Sequence, residues 1–220
     1  MEFEPENGNL PTLAFAPRIE VIPKKALFDQ TVTTSISGLS PGQLVTVRAQ
    51  ARDDLGSLWE SYATFKADAK GVVNLSSQSP LKGSYSDIDP TGLFWSMSPS
   101  KEQRQVTGFV ASGVSRDVAK PVLKPILTTL TVEVDGIAVA TASLERSFIA
   151  PNIVRKPVQE HGLVGVLFHP ADSAPRPGIL VLTGSGGGAS EHHAALLASH
   201  GYTTFALAYF AMQGLPEDLA

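Results

Sequence analysis

PGILVLTGSGGGASEHHAALLASHGYTTFALAYF, residues 177–210, decides how the second half of this chain folds. PGILVLT is a nearly continuous apolar run, SEHHAALLASH reads as a helix, and YTTFALAYF is apolar again. Apolar strands on either side of a helix are strands buried on both faces, which predicts a parallel α/β sheet. Ser190 is placed to cap the helix at its N-terminus, and Gly201 to close it in a left-handed conformation. GLVGVLFHP, residues 162–170, predicts one further strand ahead of this unit.

Upstream the period is two. Val32 and Ile36 alternate with threonines in TVTTSIS, and Val45, Val47 and Ala49 alternate with Thr46, Arg48 and Gln50. Trp59, Ser61, Ala63 and Phe65 share one face of the next run, and Leu130, Val132 and Val134 that of a later one. Asp135-Gly136 then supplies the dipeptide of a tight hairpin before IAVATASLERSF. Turn residues are frequent, with 19 Gly and 16 Pro, and no helix of ordinary length is evident before residue 150. Strands with one buried and one wet face pack as two sheets, so an all-β sandwich is expected. The prolines of APNIVRKP resist continuation of either regular structure. The organisation expected is therefore an extension over residues 1–17, a β-sandwich over 18–150, a linker over 151–158 and an incomplete α/β domain over 159–220.

Composition narrows the functional classes. Hydrophobic residues make up 43% of the 220, enough for a sizeable core. The 17 Lys+Arg and 21 Asp+Glu give a net charge of −4 with no basic stripe, so no nucleic-acid partner is expected. There is no apolar run long enough for a membrane span and no cationic-then-apolar leader, so a soluble chain without a signal peptide is expected. The absence of cysteine excludes disulfides and thiolate metal sites within this sequence.

The sharpest motif is Gly184, Ser185, Gly186, Gly187 and Gly188, between a buried strand and a helix. Glycines there let the backbone approach a ligand and aim N–H groups at an anion or a developing oxyanion. Gly184, Gly186 and Ala189 also fit a dinucleotide fingerprint, but the following strand ends Ala208-Tyr209-Phe210, without the acid that would hold a ribose. A tight turn without chemistry is the third reading. The one G-x-S-x-G match, from Gly38 to Gly42, puts Ser40 before Pro41 and an alternating strand, not before a helix, so Ser40 is a hairpin-turn residue rather than a nucleophile. Ser185 reads as a turn or backbone-donor position. His161, His169, His192, His193 and His200 have no metal-site spacing, and no metal is expected. Glu191 complements the helix dipole. Phe94-Trp95 suits the sandwich core better than the lip of an acyl site.

Taken together, GSYSDIDPTGLFWSM, RSFIAPNIVRKPV, GLVGVLFHP and the 177–210 stretch with its Gly214-Leu215-Pro216 tail resemble the acyl-CoA thioesterases and bile-acid-CoA amino acid N-acyltransferases. The resemblance implies an immunoglobulin-like sandwich followed by the opening βαβ part of an α/β-hydrolase fold, an acyl-CoA substrate and no separate cofactor, CoA being part of the substrate. It implies that the nucleophile (Ser or Cys), Asp and His lie beyond Ala220, so that no catalytic residue falls in this chain and the chain alone is inactive. Only the loop from Gly184 to Gly188 carries over, as oxyanion-hole backbone. The sequence departs from many members at His192-His193. A cytoplasmic location is expected, with mitochondria and peroxisomes left open. The competing readings are a non-catalytic acyl, CoA or protein binding module and a dienelactone-hydrolase-like esterase. Because a short parallel sheet leaves edges and one face bare, loose packing is expected after residue 158.

Overall fold

The structure, a computed structural model, describes residues 16–100, 113–172 and 174–218. Its elements run β1 (Arg18–Ile22), β2 (Lys25–Leu27), β3 (Thr33–Ser37), β4 (Leu44–Arg52), β5 (Leu58–Lys66), β6 (Val73–Asn74), β7 (Lys82–Gly83), α1 (Gly92–Trp95), β8 (Ser98–Pro99), β9 (Val114–Ser115), β10 (Ile126–Val134), β11 (Ile137–Ser147), β12 (Ile153–Glu160), β13 (Leu163–Pro170), β14 (Gly178–Val181), β15 (Ala189–Ser190), α2 (Glu191–Ser199) and β16 (Thr203–Ala208).

The chain is mostly β-sheet. A three-stranded sheet, β1-β3-β6, faces a larger one ordered β2-β11-β10-β4-β5-β7, with β8 also on β5. Val21, Ile36 and Val73 from the small sheet meet Val47, Phe65, Leu130 and Leu144 from the large one in a single core. The alternation read from sequence is the cause. Val45, Val47 and Ala49 are at most 1% exposed while the residues between them are half-buried. Asp135 and Gly136 both have positive φ, 50° and 80°, as a two-residue hairpin of the primed type requires. A bulge between Val132 and Glu133 then breaks the register, which leaves Val134 only half-buried. Ser40 lies in a turn, with Gln43 Oε1 accepting its N–H at 2.8 Å. That turn joins strands of different sheets, so it is a crossing rather than a hairpin.

The second unit departs from the reading of the sequence in three ways. Its sheet, ordered β12-β13-β16-β14, is mixed: β14-α2-β16 is the expected parallel crossover, but β13 runs antiparallel to β16 and to β12. His161 and Gly162, with φ of 53° and 78°, make the β12–β13 hairpin, a turn signal without the usual Asn-Gly or Asp-Gly spelling. Most of the expected linker, residues 151–158, is strand: β12 begins at Ile153 and runs to Glu160. Pro157 is tolerated because β12 pairs only with β13 and lies at the edge. Residues 113–123, expected within the sandwich, build the second unit instead. β9 pairs with β15, Val118 is buried in the second core, and Arg116 donates to the Ala211 carbonyl at 2.8 Å. A two-residue strand is too short to show a period, which is why this excursion is silent in the sequence.

Candidate functional site

β14 ends at Val181, and the chain turns through the glycine-rich loop into β15 and α2. The loop has two halves. Gly187 and Gly188 are buried with positive φ, 64° and 74°. Their N–H groups are spent on the carbonyls of Gly184 at 3.1 Å and Phe210 at 2.9 Å. A Cβ on Gly187 would lie 2.7 Å from that of Ala211, and one on Gly188 2.5 Å from the Ser115 carbonyl oxygen. Conformation and crowding therefore account for both glycines without chemistry.

Gly184, Ser185 and Gly186 are different. They are exposed, a Cβ on Gly184 or Gly186 would meet nothing within 4 Å, and neither has positive φ. Among the described residues no backbone carbonyl takes their N–H groups. The ends are fixed, since Thr183 Oγ1 donates to the Gly188 carbonyl at 3.2 Å and Tyr209 Oη to the Thr183 carbonyl at 2.7 Å. The outer half thus presents backbone donors from a braced turn, next to the positive end of α2. Of the five positions read from sequence, Gly187 and Gly188 have their N–H groups bonded within the chain, whereas Gly184, Ser185 and Gly186 have no backbone acceptor among the described residues.

The start of α2 holds more than the sequence suggests. Ser190 stands at the N-cap position, but its hydroxyl makes no cap bond and instead lies 2.9 Å from His193 Nδ1. Burial, and then the neighbouring His192, push His193 below the ordinary imidazole pKa, so the pair is neutral near pH 7. Among the described residues no carboxylate orients the far side of His193, and Ser190 is 3% exposed, so the pair replaces a cap rather than forming a catalytic dyad. The His192 N–H is taken by the Gly113 carbonyl at 3.2 Å, and its ring packs on Phe148.

Glu191 is not merely a charge on a helix dipole. It is fully buried and accepts two hydrogen bonds from Arg155, 2.7 Å from Nε and 2.8 Å from Nη2. Arg155 Nη2 also donates to the Val118 carbonyl at 2.9 Å. One guanidinium therefore ties α2 and the loop after β9 to its own strand, β12. The pairing could not be read from sequence, because 36 positions separate the two residues. Gly201, with φ of 96°, does close the helix as read.

The remaining histidines are structural or exposed. His169 Nδ1 contacts the Pro170 carbonyl at 2.8 Å, and His200 Nε2 contacts Asp29 Oδ2 at 2.7 Å. No group of metal-ligating side chains occurs among the described residues. Of the aromatic pair, Phe94 is half-buried and packs against the sandwich core, whereas Trp95 stands outside it. Leu93 is interior at 1% exposure, whereas Trp95 is 63% exposed, because a one-turn helix can bury only one side.

Two facing sheets, followed by a strand–helix–strand unit with a braced glycine-rich loop, define a β-rich module joined to a small mixed α/β unit. Residues 29–160 match the family model described as the acyl-CoA thioester hydrolase/BAAT N-terminal region, and the chain belongs to that family. It is 37% identical over 197 residues to mouse acyl-coenzyme A thioesterase 6, covering 89% of this chain and 45% of that protein. Mouse mitochondrial acyl-coenzyme A thioesterase 2 is 37% identical over 196 residues, covering 89% and 42%. Mouse peroxisomal succinyl-coenzyme A thioesterase is 35% identical over 196 residues, covering 89% and 45%. The chain spans somewhat under half the length of these curated relatives.

Proposed function

We propose that this chain supplies the immunoglobulin-like sandwich and the opening of the α/β-hydrolase domain of an acyl-CoA thioester hydrolase. Gly184, Ser185 and Gly186 then lie at the thioester carbonyl. The observation that carries the reading is the outer half of the loop, where glycine meets no conformational or steric demand and no backbone carbonyl among the described residues takes the N–H groups. In the reaction, a base-activated nucleophile attacks the thioester carbon, backbone donors hold the oxyanion, CoA leaves as a thiol, and water releases the acyl group. The nucleophile, its histidine and its acid belong to sequence after residue 220 in the longer protein. Hydrolysis is preferred over transfer to an amino acid because the relatives are named thioesterases, while the family description itself spans both. A serine or a cysteine at the nucleophile elbow separates the two. No helix among the described residues is long and apolar enough to cross a membrane. The compartment proposed is intracellular, in line with the mitochondrial and peroxisomal names among the relatives.

The test is thiol release from a panel of acyl-CoAs. The 220-residue chain is expected to leave them intact, and the protein extended through its following reading frame to hydrolyse them. One oxyanion donor accounts for roughly 10²–10³ in rate and cannot substitute for a missing nucleophile. Hydrolysis by the 220-residue chain that disappears in Ser185→Ala or Ser190→Ala overturns the reading.

A further inference from the structure

The large sheet's inner face extends past the small sheet. Its last rows, where Thr128 pairs with Ala51, Ala51 with Trp59, and Ile126 with Arg146, are roofed by the α1 segment and the turn after β2. The roof does not fill the space. A cavity of about 240 Å³ remains between Trp59, Ile126 and Thr128 below and Phe28, Phe94 and Trp95 above, with Arg146 in its wall. A second lobe of about 360 Å³ adjoins it, sharing Phe28, Phe94, Trp95 and Arg146.

Arg146 is the feature that apolar packing does not explain. Its guanidinium lies 4.7 Å from the Phe28 ring centre and 5.2 Å from that of Phe94. One nitrogen, Nη2, donates to the Phe28 carbonyl, while Nε is buried without a partner among the described residues. Burial pushes its pKa down, and the charge of Asp29 partly restores it. Asp29 itself is engaged by His200, and no carboxylate lies within ion-pair distance of Arg146 among the described residues. The one nearby charge, Asp29 in the wall of the second lobe, is shared with His200 and lies outside ion-pair contact, so this half-buried guanidinium keeps donor capacity that its surroundings do not use.

The cavity mouth is also held in shape. Asp89 accepts a hydrogen bond from Trp95 Nε1 at 2.7 Å and others from the N–H and hydroxyl of Thr91, each at 2.7 Å. Burial alone would raise the Asp89 pKa, but these bonds hold it below the ordinary carboxylate value, so the brace is ionised at neutral pH. An exposed indole fixed in this way is a preorganised contact, since little side-chain freedom is left to lose on binding.

We propose that this cavity is a binding site for a small apolar monocarboxylate, its carboxylate against the Arg146 guanidinium in the cavity wall and its hydrocarbon body between Trp95, Phe94 and Ile126. The planar guanidinium edge suits a carboxylate. The apolar walls disfavour a dianionic phosphate, whose second charge would lose its hydration without a partner. At about 240 and 360 Å³ the lobes lie near the lower end of the ~300–1,000 Å³ usual for small-molecule sites, which fits a chain of short or medium length. The site is separate from the glycine-rich loop and does not depend on the proposed hydrolase activity.

Calorimetric titration of the 220-residue chain with octanoate, 1-octanol and inorganic phosphate tests it. Octanoate is expected to bind saturably and about tenfold more tightly than octanol, the difference a charge-assisted hydrogen bond supplies. Arg146→Met is expected to erase that preference, and Trp95→Ala to weaken both ligands together. Equal binding of octanoate and octanol, an octanoate preference that survives Arg146→Met, or displacement of octanoate by phosphate overturns the proposal. Should Arg146→Met lose its fold by circular dichroism, the wild-type comparison and the exposed Trp95→Ala still decide. Failure here leaves the thioesterase reading standing, because that rests on CoA release by the extended protein.

Discussion

The two cores of this chain are built from different materials. The first is closed by large side chains from both sheets and from the segments between their strands, among them Phe65, Ile36, Leu75, Leu93, Leu130 and Leu144, each at most 1% exposed. The second is lined largely by alanines at 189, 194, 195, 198, 206 and 208, around Val166 and Phe168. Small residues let α2 lie close to its sheet but bury little apolar area each. The second unit compensates with a fully buried Glu191 paired to Arg155 and with a segment reached from beyond β9. On the other face of its sheet Leu163 and Leu180 remain 47% and 58% exposed. A core that relies on a charge pair and on a segment from elsewhere in the chain is more vulnerable to one change than a core of interlocking aliphatics.

That contrast can be broken most directly at the ion pair. Arg155→Met is expected to destabilise the second unit by about 3–5 kcal/mol, because it strands a buried carboxylate. Amide exchange should accelerate through α2 and β13 while β10 stays protected. The double change Arg155→Met with Glu191→Met should recover most of the loss. Equal acceleration in β10 would show that the two cores unfold as one.

A smaller effect separates the halves of the glycine-rich loop. Gly188→Ala is expected to cost about 1–3 kcal/mol, from its left-handed φ and the crowding against Ser115. Gly186→Ala should stay within about 0.5 kcal/mol, as an exposed position with open space around it. Thermal melts of the two variants measure this directly. Similar losses at both would remove the distinction on which the donor role of residues 184–186 rests.

The smallest effect belongs to the contact between the units at Asp29 and His200. Both side chains are about half exposed, at 43% and 51%, so Asp29→Asn should cost less than about 1 kcal/mol. A larger loss in chemical denaturation would mean that the units are coupled through this corner rather than through the 113–123 segment.

Much of this was legible in advance. The alternation of Val45, Val47 and Ala49, the Asp135-Gly136 hairpin, the β14-α2-β16 crossover and the close of α2 at Gly201 all follow from periods and turn preferences that act over a few residues. The glycine-rich run marks the loop between β14 and α2, although not which of its glycines are spent on packing. Residues 151–158 read as a linker because Pro157 looks like an interruption until its strand is seen to lie at an edge. Trp95 was misread as core because an aromatic pair carries no mark of which ring faces out.

Local pattern suffices for such features because backbone dihedrals and hydrophobic period are properties of neighbouring residues. It cannot supply the antiparallel course of β13 against β16, the reach of residues 113–123 into the second core, the Arg155–Glu191 pair or the cavity at Arg146. Each of these is a meeting of segments tens of residues apart. Their energies come from desolvation and shape complementarity, which exist only once the chain has closed on itself.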